Sequence, residues 1–115
     1  MIKRVAIPLD QEQLSEYLAD CTHYNVYEIS GENIDYSSLS APVLKNIEEL
    51  PKWISDQGIT DLIAYKMDRK IISRLTEHKI NLFLGAPFVS PEELVNAYVM
   101  GRLRSNEQII QEITN

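Results

Sequence analysis

Short stretches of hydrophobic residues, closed by turn residues, predict the strands of this protein. Residues 5–7 (VAI) form an apolar run that ends at Pro8 and Asp10, which is typical of a buried strand. Residues 25–30 (NVYEIS) alternate between apolar and polar positions, and a turn with Gly31 connects them to a second extended segment. These two segments predict a β-hairpin.

Leucine spacing and proline position indicate two helices in the first half of the chain. Leu14 and Leu18 are spaced to share one helix face, so residues 11–22 predict a short helix or a helical turn. A longer helix is predicted after Asn46, a residue type that favours helix caps. Pro51 removes one helical hydrogen bond, and we therefore expect a kink or a later start there.

The second half of the chain alternates between strand and helix patterns. Two apolar segments at residues 61–65 and 81–86 predict strands, and a helix that starts after Asp68 lies between them. The helix that follows has the clearest start, because Ser90 caps it and Glu93 completes a capping box.

A short last helix is predicted where the capping pattern recurs at Ser105. Its apolar face must be covered by the domain itself or by a second subunit, and consists of Ile109, Ile110 and Ile113. The sequence thus predicts one domain over residues 1–104 and a C-terminal helix over residues 105–115, docked on the domain or on a partner.

The predicted order is strand, short helix, hairpin, helix, strand, helix, strand and two helices. Helical crossovers join parallel strands, whereas the hairpin is antiparallel. The sequence therefore predicts an α/β protein with a mixed five-stranded sheet flanked by helices. The ribonuclease H-like fold has this arrangement, among other three-layer α/β folds.

Composition narrows the classes of protein to consider. The chain has 115 residues, of which 44% are hydrophobic, and this is the size of one compact domain. The single cysteine, Cys21, cannot form an intramolecular disulfide, so a reduced, cytoplasmic setting is predicted. We expect no membrane partner, because no apolar stretch approaches the length of a span, and no nucleic-acid partner, because the net charge is −6.

Four stretches that reach Leu103 carry a resemblance to a known family. They are RVAIPLD (4–10), LSEYLADCTHYNVYEI (14–29), QGITDLIAY (57–65) and INLFLGAPFVSPEELVNAYVMGRL (80–103). In these stretches the chain resembles the small proteins related to dinitrogenase iron–molybdenum cofactor biosynthesis. The most specific pieces are the turn at Gly85 and the helix that ends at Gly101.

The resemblance implies a ribonuclease H-like fold without nuclease chemistry, in a carrier that binds iron–sulfur or molybdenum-containing clusters. Two departures favour a changed or lost ligand. Tyr17 stands where the family commonly has a histidine, and residues 65–70 (YKMDRK) stand where it often has a glycine-rich loop.

Cys21 and His23 are the candidate metal ligands. A thiolate and an imidazole suit iron, zinc or copper, and residues two apart on an extended segment point to the same face. A closed zinc or iron–sulfur site needs four ligands, so a second subunit or an exogenous cluster ligand would supply the rest. The alternative is a half-buried cysteine beside a surface histidine.

Lys66 and Arg69 are candidate charge-neutralising residues, and Gly85 is a candidate cofactor contact. They follow two predicted parallel strands at their carboxyl ends, where α/β sheets usually bind ligands. Alternatively, Arg69 with Lys70 and Arg74 forms the solvated face of an amphipathic helix, and Gly85 serves the turn alone.

Two functions follow from these residues. The first is a non-catalytic carrier that binds a metal–sulfur cluster or another small anion, with Cys21 and His23 as ligands and with Lys66 and Arg69 neutralising charge. The second is a protein–protein interaction module that has kept the fold without a cofactor. Its homodimer or protein partner would bind through the helix at residues 105–113. Neither function needs a catalytic residue.

Overall fold

A six-stranded mixed β-sheet lies at the centre of the protein. The computed structural model describes the backbone of residues 2–114 and the side chains of residues 2–112. The strands are β1 (Ile2–Asp10), β2 (Gln13–Leu14), β3 (His23–Ser30), β4 (Asn33–Ser40), β5 (Asp61–Ile63) and β6 (Asn81–Phe83). The helices are α1 (Leu50–Asp56), α2 (Arg69–Glu77), α3 (Pro91–Val99) and α4 (Glu107–Thr114), with 3₁₀ turns at Leu18–Asp20 and Ile47–Glu49.

The strand order is β4-β3-β1-β5-β6, and β2 pairs with β1 beside this path. β3 runs antiparallel to β1 and β4, whereas β5 is parallel to both β1 and β6. The mixed sheet and the hairpin are therefore confirmed. The sheet has six strands instead of the five predicted, because β2 adds a short antiparallel pair in which Leu14 lies opposite Leu9.

Of the short helix or helical turn predicted for residues 11–22, only a helical turn is present, at Leu18–Asp20, and Gln13–Leu14 form a strand instead. Gln11 has a φ of 61° and turns the chain back, so that Leu14 can pair with Leu9. Leu14 then packs into the core on one face of the sheet, and Leu18 packs into the core on the other. The four-residue spacing of these leucines would place both on one face of a helix, but here each leucine packs on a different face of the sheet. The helical structure in this segment is limited to a short 3₁₀ turn.

Of the four predicted caps, Asn46 and Ser90 accept a helical N–H, whereas Asp68 occupies the N-cap of α2 without a side-chain hydrogen bond and Ser105 does not cap α4. The Glu93 N–H donates to Ser90 Oγ at 3.2 Å, and α1 begins one residue before Pro51, which confirms the later start. In α4 the cap is Asn106 instead of Ser105, because Asn106 Oδ1 accepts the second helical N–H at 3.0 Å. The Ser105 hydroxyl instead accepts a hydrogen bond from the Leu84 N–H at 3.1 Å.

Two apolar cores lie on opposite faces of the sheet. The first core, under α1 and α2, includes Leu62 and Leu75, and the second core, under α3, includes Ile7 and Leu94. All four side chains are at most 1% exposed, and burial of each contributes about 1.5–3 kcal/mol. Helices therefore flank the sheet on both faces, as predicted. Within the described residues, no helix combines the length and the apolar character that crossing a bilayer requires.

Candidate functional site

Three loops lie side by side where the parallel strands β1, β5 and β6 end. The Lys66 N–H donates to the Glu16 carbonyl at 3.1 Å, and the Leu18 N–H donates to the Lys66 carbonyl at 2.9 Å. The Gly85 N–H donates to the Tyr65 carbonyl at 2.9 Å. These bonds extend the sheet into its loops and form a surface that we call the carboxyl edge. Ligands of α/β sheets usually bind at such an edge.

Aromatic side chains and one cation form the carboxyl edge. The ring centroids of Tyr65 and Phe88 are 4.6 Å apart, and Lys66 Nζ lies 5.5 Å from the Tyr65 centroid. Tyr17 pairs with Lys66 through a backbone bridge and is 45% exposed, whereas Phe88 is 56% exposed. The edge therefore offers a cation beside exposed aromatic rings, and an anion with little hydration can contact the ammonium there.

The Lys66 ammonium already has an anionic partner from the last helix. Its Nζ lies 3.3 Å from Glu112 Oε2, and the Lys66 side chain is 22% exposed while that of Glu112 is 59% exposed. The hydrogen bond to Glu112 raises the pKa of Lys66. The lysine is therefore charged at neutral pH, and α4 supplies the charge that neutralises it.

Gly85 has a structural requirement that explains its identity. Its φ is +72°, and a Cβ at this position would lie 2.5 Å from Asn106 Cβ and 3.1 Å from Ile109 Cβ. The start of α4 is fixed to the same loop, because the Asn106 N–H donates to the Leu84 carbonyl at 2.8 Å and the Leu84 N–H donates to Ser105 Oγ at 3.1 Å. The predicted cofactor contact at Gly85 is thus covered by α4.

Cys21 and His23 lie on different sides of the sheet. Cys21 is half-buried against the first core, whereas His23 lines an open hollow beside Leu9 and Ser90, on the side of the second core. His23 Nδ1 lies 2.9 Å from the Thr22 hydroxyl oxygen. The structure therefore does not bring the two predicted ligands together. No group of three histidine, cysteine, aspartate or glutamate side chains suited to a metal occurs among the residues described.

Burial determines the chemistry of the Cys21 thiol. The surrounding core raises its pKa, and the neighbouring Tyr24 hydroxyl opposes this to a smaller extent. Tyr24 is 1% exposed, and its hydroxyl makes no hydrogen bond of good geometry within the described part of the chain. The Cys21 thiol is the polar group beside that hydroxyl. A protonated thiol packed in this way is a poor metal ligand, because thiolate is the binding form.

We expect the Cys21 thiol to react slowly with iodoacetamide in the folded protein. Thiolate is the reactive form, and the raised pKa keeps it scarce until the pH exceeds the ordinary value of 9.0. The rate at neutral pH should be several-fold lower than in protein unfolded in urea. Mass spectrometry of quenched samples measures both rates. Equal rates in folded and unfolded protein would contradict the buried thiol.

Arg69 does not join Lys66 at the carboxyl edge. It lies on the exposed face of α2 in a shallow hollow with Lys70 and Arg74, and Glu48 and Glu77 line the same hollow. Acidic residues therefore interrupt the predicted basic group. This placement agrees with the alternative of a solvated helix face.

Sequence reasoning missed most of the residues that form the carboxyl edge. Tyr65, Phe88 and Glu112 were not candidates, and Tyr17 was noted only as a departure from a family pattern. An aromatic residue beside a charged one in a loop is a common sequence feature, so no local signal marks these positions. They become a surface only because the loops after three strands are neighbours.

Comparisons with known proteins show which fold this is. No protein-family model and no curated protein sequence matches the chain. The crystal structure of the protein PH0822 is similar over 92% of this chain and 98% of that one, with a TM-score of 0.81 at 20% identity.

Two further solved structures have names that bear on function. A protein from Methanocaldococcus jannaschii, proposed to be a dinitrogenase, matches with a TM-score of 0.72 and 16% identity, over 92% of this chain and 96% of that one. The apo form of the orange protein from Desulfovibrio gigas matches with a TM-score of 0.74 and 10% identity, over 92% of this chain and 94% of that one. At such low identities, the likeness establishes a shared fold and nothing finer.

Proposed function

We propose that this protein is a non-catalytic carrier of a small anionic ligand of the metal–sulfur class, built on a ribonuclease H-like fold. The strand order supports the fold proposal. A hairpin lies on one side of β1, and two parallel strands joined by helical crossovers lie on the other. This is the arrangement that the ribonuclease H-like fold requires.

The names of the structural neighbours support the ligand class. One is proposed to be a dinitrogenase, another from Thermotoga is proposed to be a NifB protein, and the orange protein was solved in an apo form. An apo form implies a form with a bound group. Together with the resemblance in the sequence, these names favour a relationship to the dinitrogenase iron–molybdenum cofactor biosynthesis proteins.

The single observation that carries the proposal is the position of Lys66. It is the cation that the loop after β5 places at the carboxyl edge, among the rings of Tyr17 and Tyr65. A metal–sulfur anion presents a soft, weakly hydrated surface that loses little water beside exposed aromatic side chains, and the Lys66 ammonium balances part of its charge. We assign charge neutralisation to Lys66 and assign Gly85 to the wall of the same site.

The other candidates have lesser roles in this proposal. Arg69 is a second candidate for attracting an anion, because it is the first residue of α2, three residues after Lys66. Cys21 and His23 are not assigned to one ion, since they lie on different sides of the sheet. Either residue could still contact a cluster separately, and metal analysis of Cys21→Ala and His23→Ala tests each one.

Substitution of Lys66 by glutamine should weaken binding of tetrathiomolybdate, a metal–sulfur dianion, by about tenfold or more, because a charge-assisted contact is lost. Absorption titration of protein purified without oxygen and without a histidine tag measures the Kd. Lys70→Gln is the matched control, because it removes the same charge from the exposed face of α2. Equal Kd values for the two variants would contradict the assignment of Lys66.

The second candidate function is an interaction module that has kept the fold without a cofactor. One observation favours it, which is that α4 fills the carboxyl edge and Glu112 neutralises Lys66. Protein that contains no iron or molybdenum after anaerobic purification, and that binds no tetrathiomolybdate even with Lys66 intact, would support this function. Ile109 is 8% exposed because it packs on its own domain, so a partner that binds through this residue would first have to displace the helix. The side chain of Ile113, which the sequence places on the same face, lies outside the described residues.

A further inference from the structure

The last helix holds a carboxylate where the proposed ligand would place its charge. Glu112 Oε2 lies 3.3 Å from Lys66 Nζ, on the same carboxyl edge to which the ligand has been assigned. We infer that Glu112 is a built-in substitute for the anionic ligand and that α4 is a displaceable cover of its site. This inference rests on the proposed function, because it concerns the same site.

Charge supports this competition. Lys66 carries one positive charge, and Glu112 balances it at 3.3 Å. The pair lies at the surface, with 59% of the Glu112 side chain exposed, and exposed ion pairs contribute little to stability. A ligand with two negative charges can therefore replace the single carboxylate without disrupting the fold.

The first residues of α4 are attached firmly to the domain, so the rest of the helix can move away while these residues stay in place. Ser105 and Asn106 are bonded to the backbone of Leu84, and Ile109 is buried over Gly85. Glu112 lies one turn further along, where its side chain is mostly exposed. A helix of eight residues is unstable in isolation. Its helicity depends on docking, so loss of the Lys66 contact should loosen its last turn, by the small amount that an exposed ion pair contributes.

The rings around Lys66 also limit the class of ligand. Tyr17, Tyr65 and Phe88 contribute rings, and the two tyrosine hydroxyls are their only hydrogen-bond donors. A strongly hydrated oxyanion would lose its water without replacement, whereas a sulfide-covered anion loses less. We therefore assign the site to thiometalate-type anions in preference to molybdate or phosphate.

Glu112→Gln tests the cover directly in the full-length chain. If the carboxylate competes with the ligand, this variant should bind tetrathiomolybdate about two- to fivefold more tightly than the wild type, in line with an exposed ion pair. Glu107→Gln is the matched control, because it removes the same charge at the other end of the same helix. Molybdate, titrated in parallel, should bind at least about tenfold more weakly than tetrathiomolybdate.

Hydrogen exchange provides the second measurement. Backbone amides of residues 107–112 should exchange faster in wild-type protein when tetrathiomolybdate is bound, and faster in Glu112→Gln without any ligand. Tighter binding by Glu112→Gln alone, together with this loss of protection, supports the cover.

Four results would overturn the inference. Unchanged affinity in Glu112→Gln, or unchanged protection of α4 on binding, would reject the cover and leave the carrier proposal intact. Equal tightening by Glu107→Gln would reduce the effect to net charge. Failure of every protein, including Glu112→Gln, to bind tetrathiomolybdate would reject the carrier proposal and the cover with it.

Discussion

Replacement of Gly85 by alanine should release α4 from the domain. The added Cβ would lie 2.5 Å from Asn106 Cβ, an atom next to the backbone of the helix start, so the helix itself must move. The φ of +72° adds a conformational cost of about 1–2 kcal/mol for a residue with a side chain. Loss of the contacts of Ile109, which is 8% exposed, adds about 1.5–3 kcal/mol.

The summed loss of about 2.5–5 kcal/mol in the free energy of unfolding should appear as a lower urea midpoint. Faster hydrogen exchange in residues 105–112 should accompany it. Gly31→Ala separates the two causes, because Gly31 also has a positive φ, of 59°, but a Cβ there meets nothing within 4 Å. If both variants lose the same stability, packing of α4 against Gly85 has no part in the effect.

Leu62→Ala should cost more than any single surface change, about 3–5 kcal/mol of the free energy of unfolding. Leu62 is fully buried in the first core, on the strand that pairs with both β1 and β6. Neighbours on both sides are held by ladder hydrogen bonds, so they cannot close around the cavity. For a domain whose total stability is of the order of 5–15 kcal/mol, this loss is severe.

Chemical denaturation followed by circular dichroism measures the Leu62→Ala effect. Leu62→Met keeps the volume and should cost less than about 1.5 kcal/mol. Val43→Ala removes a side chain that is fully exposed and should change stability by less than about 0.5 kcal/mol. A loss below about 1.5 kcal/mol in Leu62→Ala would mean that the core repacks, contrary to the rigid sheet described above.

Both substitutions also bear on the candidate site. Leu62 lies on the strand that leads into the loop with Tyr65 and Lys66, while Gly85 lies on the loop beside it. Loss of core packing should therefore disturb Lys66 through the scaffold, whereas Gly85→Ala should act through α4. Because a loss of stability can also weaken binding, the stability of each Lys66 variant should be measured together with its Kd.

The sequence by itself determined the elements that local interactions encode. The hairpin between residues 25–30 and the following segment, the cap at Ser90 and the delayed helix start at Pro51 are all present. Turn formation, helix capping and the backbone restriction of proline depend on residues a few positions apart, so these elements can be predicted from the sequence alone. The alternation of strands and helices in the second half of the chain follows from the same local patterns.

Only the tertiary structure decided which side chains meet. Leu14 and Leu18 were assigned to one helix face, yet they pack into cores on opposite faces of the sheet. Cys21 and His23 are near neighbours in the sequence and do not converge, whereas Lys66 and Glu112 are distant in the sequence and form an ion pair. Such contacts depend on strand pairing and on how α4 docks, which are set by interactions across the whole domain and not by residues close in the chain.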